Sequence, residues 1–536
     1  MNRSNGSPSG RSITRDGSGG SGGTGAPAPA AASDFLQLNT ADAPRGGLAD
    51  WLARQIRRAV ARGLLPVGSR LPATRVLAAE LGVSRGVVTE AYRRLTEDGH
   101  VAGRGRGGTV VVAAPLGRPA PEAGDSSRAG SEPGPLSGEP GRAGGEPGPA
   151  GAADRGLFAD PDATDVFDAL RAAPARIDLS PGLPDLAAFP RAAWLRAERA
   201  VLAALAPSDF GYGDPRGTPA LRRAVGRWLA RNRGIAVDPE DVLIVAGTAQ
   251  ALGLLAILLR AEGITEVALE DPSSLGLRQH LHNAGLATPP VPVDAHGVRV
   301  DALRATGAPA VLLTPARQFP TGVVLDGARR RALADWATRE GGLVIEDDYD
   351  AEHRYDRPPV PALRSTLPDH VAYAGSVSKL LAPALRVGWL LAPRRHHGAL
   401  VDAKRFADLG NAALPQLVLA HLMESGGLER HLRFLRRRHR VRRDTMIEAI
   451  RTRLPGAVVH GAAAGLHLMV TFDAATAART PDDTALATAA LERGVKVQPL
   501  SWHTQRPHGP GLVLGYAAST PTDIAEGVGV LGELVG

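Results

Sequence analysis

The chain has 536 residues, 43% of them hydrophobic, and at roughly 100–200 residues per domain it holds two to four domains with ample material for a buried core. It contains no cysteine, which excludes disulfides, thiolate zinc sites and a cysteine nucleophile, and fits a reducing cytoplasm. Its net charge of +7 is uneven: residues 1–115 carry fifteen arginines against eight acidic residues, an excess of seven, whereas residues 116–536 carry 47 of each sign. A basic module at the N-terminal end suits a polyanion such as DNA.

Residues 1–44 are rich in Gly, Ser and Pro and lack an apolar period, which predicts a disordered tail without a signal sequence. The longest apolar run, Ala251 to Leu259, is far shorter than the roughly 20 residues a bilayer needs and predicts a buried helix in a soluble, cytoplasmic protein with no membrane partner. Residues 45–113 have mixed, periodic composition. From 114 to 175 the composition collapses into Pro, Gly, Ala and Glu, with Glu-Pro-Gly recurring at Glu132, Glu139 and Glu146, which predicts a long disordered linker. Residues 176–536 then read as globular throughout, with a smaller subdomain from roughly 396 onward.

Within 45–113, apolar residues at 48, 52, 56 and 60 place one face on a first helix ending at Gly63. A second helix is expected over Thr74 to Leu81 and a third over Arg85 to Glu97, separated by Gly82-Val83-Ser84. Gly82 suits a left-handed turn and Ser84 an N-cap. This is a helix-turn-helix, whose third helix would place Ser84, Arg85, Thr89 and Arg93 at base edges or phosphates, with Arg75 at the start of the second helix. Val101 to Val112 alternates into a hairpin whose Arg104 and Arg106 would lie on the backbone as a wing. The run LLPVGSRLPATRVLAAELGVSRGVVTEAYRRLTEDG resembles the winged helix of the GntR family, with Val67-Gly68 where the family often has Pro-Gly and Ala73 in place of Ser.

From Asp178 onward, strand-like runs at Val242 to Val245, Val267 to Glu270, Ala310 to Leu313, Leu343 to Ile345 and Val371 to Ala374 alternate with helical stretches, an α/β pattern with a mostly parallel sheet. Four local features suit pyridoxal phosphate, and no metal is called for. Lys379 in SVSK, one of only three lysines with Lys404 and Lys496, follows a strand and can form a Schiff base, with Ser376 and Arg386 available for a phosphate. Acids at the end of Leu343 to Asp350 stand where ligands bind in such sheets, so an Asp can pair with the pyridine nitrogen and Tyr349 with the phenolic oxygen. Gly247, Thr248 and Ala249 run from a strand into a helix whose N-terminal amides can hold the phosphate. Tyr212 in GYGDPRG can reach a phosphate, including one in a second subunit.

Together these features resemble fold-type-I aminotransferases, and with the winged helix the chain from about 45 to 536 is similar to the MocR/GabR subfamily of GntR regulators. The supporting strings are GLPDLAAFPRAAW, YGDPRGTPALRRAV, EDPSS, TPARQFPTG, IEDDYDAEHRY, SVSKLLAPALRVGW and LVLGYAASTPTDIAEGV. The resemblance implies Lys379 as the Schiff-base lysine, Asp347 as the pyridine partner and Tyr349 as the phenolate partner. It implies Ser376, Arg386, Thr248 and a neighbour's Tyr212 as phosphate ligands, in a head-to-tail homodimer. Three positions depart from it: Ser274 replaces an aromatic, Arg317 replaces a histidine, and Val513 stands where an aminotransferase keeps an arginine for the substrate carboxylate. Arg317 or Arg278 could take an acid instead, but the first reading of each is an ordinary salt-bridged arginine. The expected function is therefore a DNA-binding regulator that senses pyridoxal phosphate or its adduct with an amine or amino-acid effector. The alternatives are a working aminotransferase with a DNA-binding appendage and a DNA-binding protein whose large domain has lost the cofactor.

Overall fold

A computed structural model describes residues 38–112, save 39, 41, 42, 45, 46, 62, 63, 67, 98, 99 and 104–107, and residues 172–536, save 351 and 354–360. The linker expected over 114–175 therefore lies almost wholly outside the described residues, as do Arg104 and Arg106.

The N-terminal module is three helices, α1 (Leu48–Ala61), α2 (Thr74–Glu80) and α3 (Arg85–Glu97), closed by a hairpin of β1 (Val101–Gly103) and β2 (Thr109–Val111). The periodic residues Leu52, Ile56 and Val60 of α1 are buried against Leu77, Val88, Tyr92 and Leu95, so the apolar stripe read from the sequence is the core. Gly82 adopts φ +64°, and the Ser84 hydroxyl accepts from the Val87 amide at 3.4 Å, as the turn chemistry demands.

The large domain is built on eight strands: β3 (Leu243–Val245), β4 (Ala268–Asp271), β5 (Pro290–Asp294), β6 (Gly297–Val298), β7 (Ala310–Leu313), β8 (Leu343–Asp348), β9 (Val371–Ser376) and β10 (Gly388–Leu391). Their order is β3-β10-β9-β8-β7-β4-β5-β6; β9, β8, β7, β4 and β5 run parallel, and β10 is antiparallel to both neighbours. Helices cover both faces, which is why the central strands read as continuous apolar runs. The run Ala251 to Leu259 lies in α5 (Thr248–Ala261), labelled after α4 (Arg191–Ala204), and buries seven of its side chains. A four-stranded antiparallel sheet follows, β11 (Ala457–His460), β12 (His467–Phe472), β13 (Gln498–Pro499) and β14 (Gly511–Gly515), in the order β11-β12-β14-β13. It packs with α7 (Gly427–Arg453) and α8 (Pro521–Val535) over a separate apolar core; α6 (Leu275–Asn283) lies on the large sheet.

Candidate functional site

The parallel strands end at a cavity of about 590 Å³ that also meets the small sheet. Its lining brings together Lys379, Asp347, Tyr349, Ser376, Arg386, Thr248 and Ala249, drawn from a stretch that runs from residue 248 to residue 386.

Strand alternation decides which acid of β8 faces this space. Glu346 points to one side and accepts the amides of Leu363 and Arg364 at 3.0 and 3.1 Å. Asp348, on that same side, is bound by buried Arg233 and by the Tyr373 hydroxyl. Asp347 points the other way, into the cavity, where among the described residues the Thr248 hydroxyl alone donates to its carboxylate, at 3.3 Å. Burial, with Asp348 adding to it, pushes the Asp347 carboxyl up to about 7, although Thr248 and Lys379 act against the rise. A cation supplied beside it would return it to the carboxylate form.

Lys379 sits just past β9, its ammonium donating to the Gly182 carbonyl. Burial lowers its pKa, opposed by Asp347 and Asp350, a shift in the direction of the neutral amine that a nucleophile requires. The other two lysines have different surroundings. Lys404 is fully buried and bound to Asp408 and Asn411 at 2.6 Å, whereas Lys496 lines the same cavity and pairs with Asp178 at 3.4 Å.

The opposite end of the cavity suits an anion. Gly247, at φ +84°, ends the turn from β3, and the Thr248 and Ala249 amides open the first turn of α5, where no intrahelical acceptor exists. Arg386, itself left-handed at φ 51°, lays its guanidinium over this turn and donates to the Ala246 carbonyl; a Cβ at Gly247 would stand 3.3 Å from its Nη1. Ser376 closes the group from the end of β9. Tyr212 is 94% exposed and does not line the cavity of its own chain.

The three departures acquire definite roles. Arg317 is buried behind Tyr349 and donates to its hydroxyl and to Asp350 at 3.1 Å each, and to the His467 carbonyl at 2.8 Å. It does not line the cavity, and its charge is paired with Asp350, which fits the reading of an ordinary salt-bridged arginine rather than that of a site for an acid. Arg278 donates to the carbonyls of Trp502 and Thr504 at 3.0 and 3.3 Å, a structural use as well. Val513 is fully buried with Met469 and Leu500, and Phe319 packs on them, so an apolar cluster fills that strand position. Ser274 lines the cavity at the start of α6. Burial pushes the Tyr349 hydroxyl well above its usual range, with Arg317 opposing.

His467, His503, Gln498 and Phe319 also line the cavity and were not singled out from the sequence. His467 stacks near Tyr349 with ring centroids 6.5 Å apart, and burial keeps its imidazole neutral. A histidine inside the apolar run LHLMV was its one available signal.

On the winged helix, Arg75, Ser84, Arg85, Thr89 and Arg93 are all exposed, on α2, the turn and α3. Arg93 is held by Glu90 at 2.5 Å, so part of its charge is already matched within α3. Arg57 of α1 stands 3.7 Å from Asp523 of α8, which brings the module against the C-terminal subdomain.

Residues 175–531 match the family of class I and II aminotransferases, and residues 48–111 match the bacterial regulatory proteins of the gntR family. The chain is 30% identical to the probable rhizopine catabolism regulatory protein MocR of Rhizobium meliloti, over 90% of this chain and 92% of that protein. It is 32% identical to the pyridoxine biosynthesis transcriptional regulator PdxR of Corynebacterium glutamicum, over 84% and 87%. Among solved structures it is similar to the α-aminoadipate aminotransferase LysN of Thermus thermophilus, complexed with N-(5'-phosphopyridoxyl)-L-leucine, at 27% identity and a TM-score of 0.62 over 69% of this chain and 94% of that one.

Proposed function

The chain belongs to the MocR-type gntR transcription regulators, a winged helix-turn-helix joined to a class I and II aminotransferase domain, and on that premise we propose that pyridoxal phosphate bound in the large domain sets its affinity for operator DNA. The observation that carries this reading is the convergence of a depressed lysine amine, a cavity-facing carboxyl and an anion-binding helix start on one space. When bound, the cofactor supplies an aldehyde for an amine and a ring that draws electrons. Lys379, whose pKa burial lowers, presents its amine to that aldehyde, and Asp347 is placed to hold a protonated ring nitrogen. Tyr349, fixed from behind by Arg317, directs its hydroxyl at the ring oxygen, while Thr248, Ala249, Ser376 and Arg386 hold the phosphate. Tyr212, exposed in its own chain, completes the phosphate site of a second copy in a head-to-tail homodimer. Val513 and its apolar neighbours give an α-carboxylate nothing to pair with, which favours a sensor of the cofactor or of a small amine adduct over a transaminase.

The deciding experiment compares cofactor-free and cofactor-loaded protein at fixed salt on a duplex selected from a random pool. A coupling of about 1–3 kcal/mol predicts an affinity ratio of about 5 to 150. Equal affinities in the two forms, together with sustained turnover of an amino donor and a keto acid, would replace the regulator reading with an enzyme.

A further inference from the structure

Residues 116–536 are electrically neutral as a whole, yet α7 alone holds ten arginines against three acidic residues, an excess of seven equal to that of the entire N-terminal module. The helix sorts these charges by face. Arg438 and Arg442 are buried on Asp185, Arg436 donates to the Glu352 carbonyl, and Arg443 pairs with Asp444. Arg430, Arg433, Arg437 and Arg440, spaced by three, four and three residues, lie on one exposed face. Among the described residues no carboxylate stands within salt-bridge distance of Arg430, Arg433 or Arg437. Some exposed arginines elsewhere on the large domain are matched, Arg227 by Glu424, Arg304 by Glu340 and Arg339 by Asp335, while others, such as Arg223 and Arg331, have no carboxylate in reach among the described residues but do not extend into a row of four on one helix face. Leaving three neighbouring guanidinium groups unmatched costs self-repulsion, which a polyanion laid along the stripe would relieve.

Position identifies the polyanion. The stripe is about 15 Å long at 1.5 Å per residue. At one end Arg430 and Phe434 share a hollow with Arg196 of α4. At the other, Val441 and Thr445, the next residues along the helix, line a cleft with Asp50, Arg54 and Arg93 of the winged helix. A surface that begins beside the DNA-reading module and runs away from it with one sign of charge fits the backbone of the same duplex. We propose that the arginine face of α7 is a second DNA-backbone surface, which takes the phosphates flanking the segment held by the winged helix. It reads no sequence, because guanidinium contacts to phosphate position a duplex without specifying bases. The inference rests on the regulator reading but not on the cofactor.

The test uses the full chain with Arg433→Gln and Arg437→Gln together, against random-sequence duplexes of about 60 and about 15 base pairs, the latter about one and a half turns. Each phosphate contact contributes about 0.9 to the slope of log affinity against log salt, so the double variant should lose about 1.8 units of slope on the long duplex. Between 50 and 200 mM salt the wild type should then lose roughly 12-fold more affinity than the variant. The short duplex should bind both proteins equally, and the pair Arg304→Gln and Arg339→Gln should match wild type on both. An unchanged slope on the long duplex, or equal losses on both lengths, overturns the proposal. A wild type that binds neither duplex at low salt overturns the regulator reading, and the stripe's assignment with it.

Discussion

Replacing Arg317 by methionine keeps most of its volume and removes its charge, which isolates what the guanidinium does. Its partner Asp350 is 2% exposed and already pushed up to about 6 by burial while Arg317 holds it down. Without the arginine that carboxyl rises further and takes a proton rather than remain a buried, unmatched anion. The unfolded chain titrates the same residue near 3.9, so between pH 6 and 8 the folded variant retains a proton that the unfolded chain has released. Stability must then fall as pH rises, by about 1.4 kcal/mol per unit and at most about 2.7 kcal/mol over the window. The Tyr349 hydroxyl and His467 carbonyl also lose donors, worth about 1–3 kcal/mol at any pH. Urea unfolding followed by circular dichroism should show a loss of about 2–3 kcal/mol at pH 6 growing to about 4–5 kcal/mol at pH 8, the range found when one partner of a buried pair is removed. Adding Asp350→Asn should flatten the pH dependence. A loss below about 1 kcal/mol at pH 8, or one of equal size at both values, would refute the ion pair as the reason for Arg317.

Lys379→Ala should abolish the visible absorption of cofactor-loaded protein, whereas Lys496→Ala, which changes the same cavity wall, should retain it; the reverse result would move the assignment. Gly247→Ala puts a Cβ at φ +84° and 3.3 Å from the Arg386 guanidinium, so cofactor affinity should drop about tenfold or more in an equilibrium titration while the DNA-binding domain is untouched. Arg85→Ala should weaken binding to a selected operator by about 1–3 kcal/mol more than to random DNA; equal losses in a gel-shift series would place Arg85 on phosphate. Glu270, Glu346 and Asp347 are each raised to about 7 by burial and Glu352 to about 8, so above pH 7, where the histidines of the unfolded chain are already largely neutral, the folded cofactor-free protein holds protons that the unfolded chain lacks, and its melting temperature should fall from pH 7 to pH 8.5.

What was legible in the sequence is what local chemistry decides. The winged helix follows from the turn at Gly82, the cap at Ser84 and a clear apolar period, all within a few residues of one another. Lys379, Thr248 and Asp347 stand at strand ends and helix starts, where the α/β pattern itself predicts ligands. Contacts between distant segments were not legible. Arg317 and Tyr349 are 32 residues apart and Arg317 and His467 are 150 apart, and nothing local reveals that one guanidinium spans both subdomains. The triplet Glu346-Asp347-Asp348 shows the same limit: alternation separates Asp347 from its neighbours, but only the positions of Arg233, Tyr373 and Leu363 show that the other two acids are spent on the scaffold.

The burial of the lysines has a practical consequence for chemical probing. Lys404 is sealed by Asp408 and Asn411, Lys496 has a side chain 12% exposed and Lys379 stands inside the cavity, so no lysine side chain is readily open to bulk solvent. Apart from the α-amino group, carbonyl reagents that decorate ordinary proteins at random lysines have almost nothing to attack here, and one equivalent of reduced, covalently fixed label found on a lysine would mark the cavity directly. For the same reason amine-directed cross-linkers will be poor reporters of assembly for this molecule, and reagents aimed at guanidinium or carboxyl groups are the better choice.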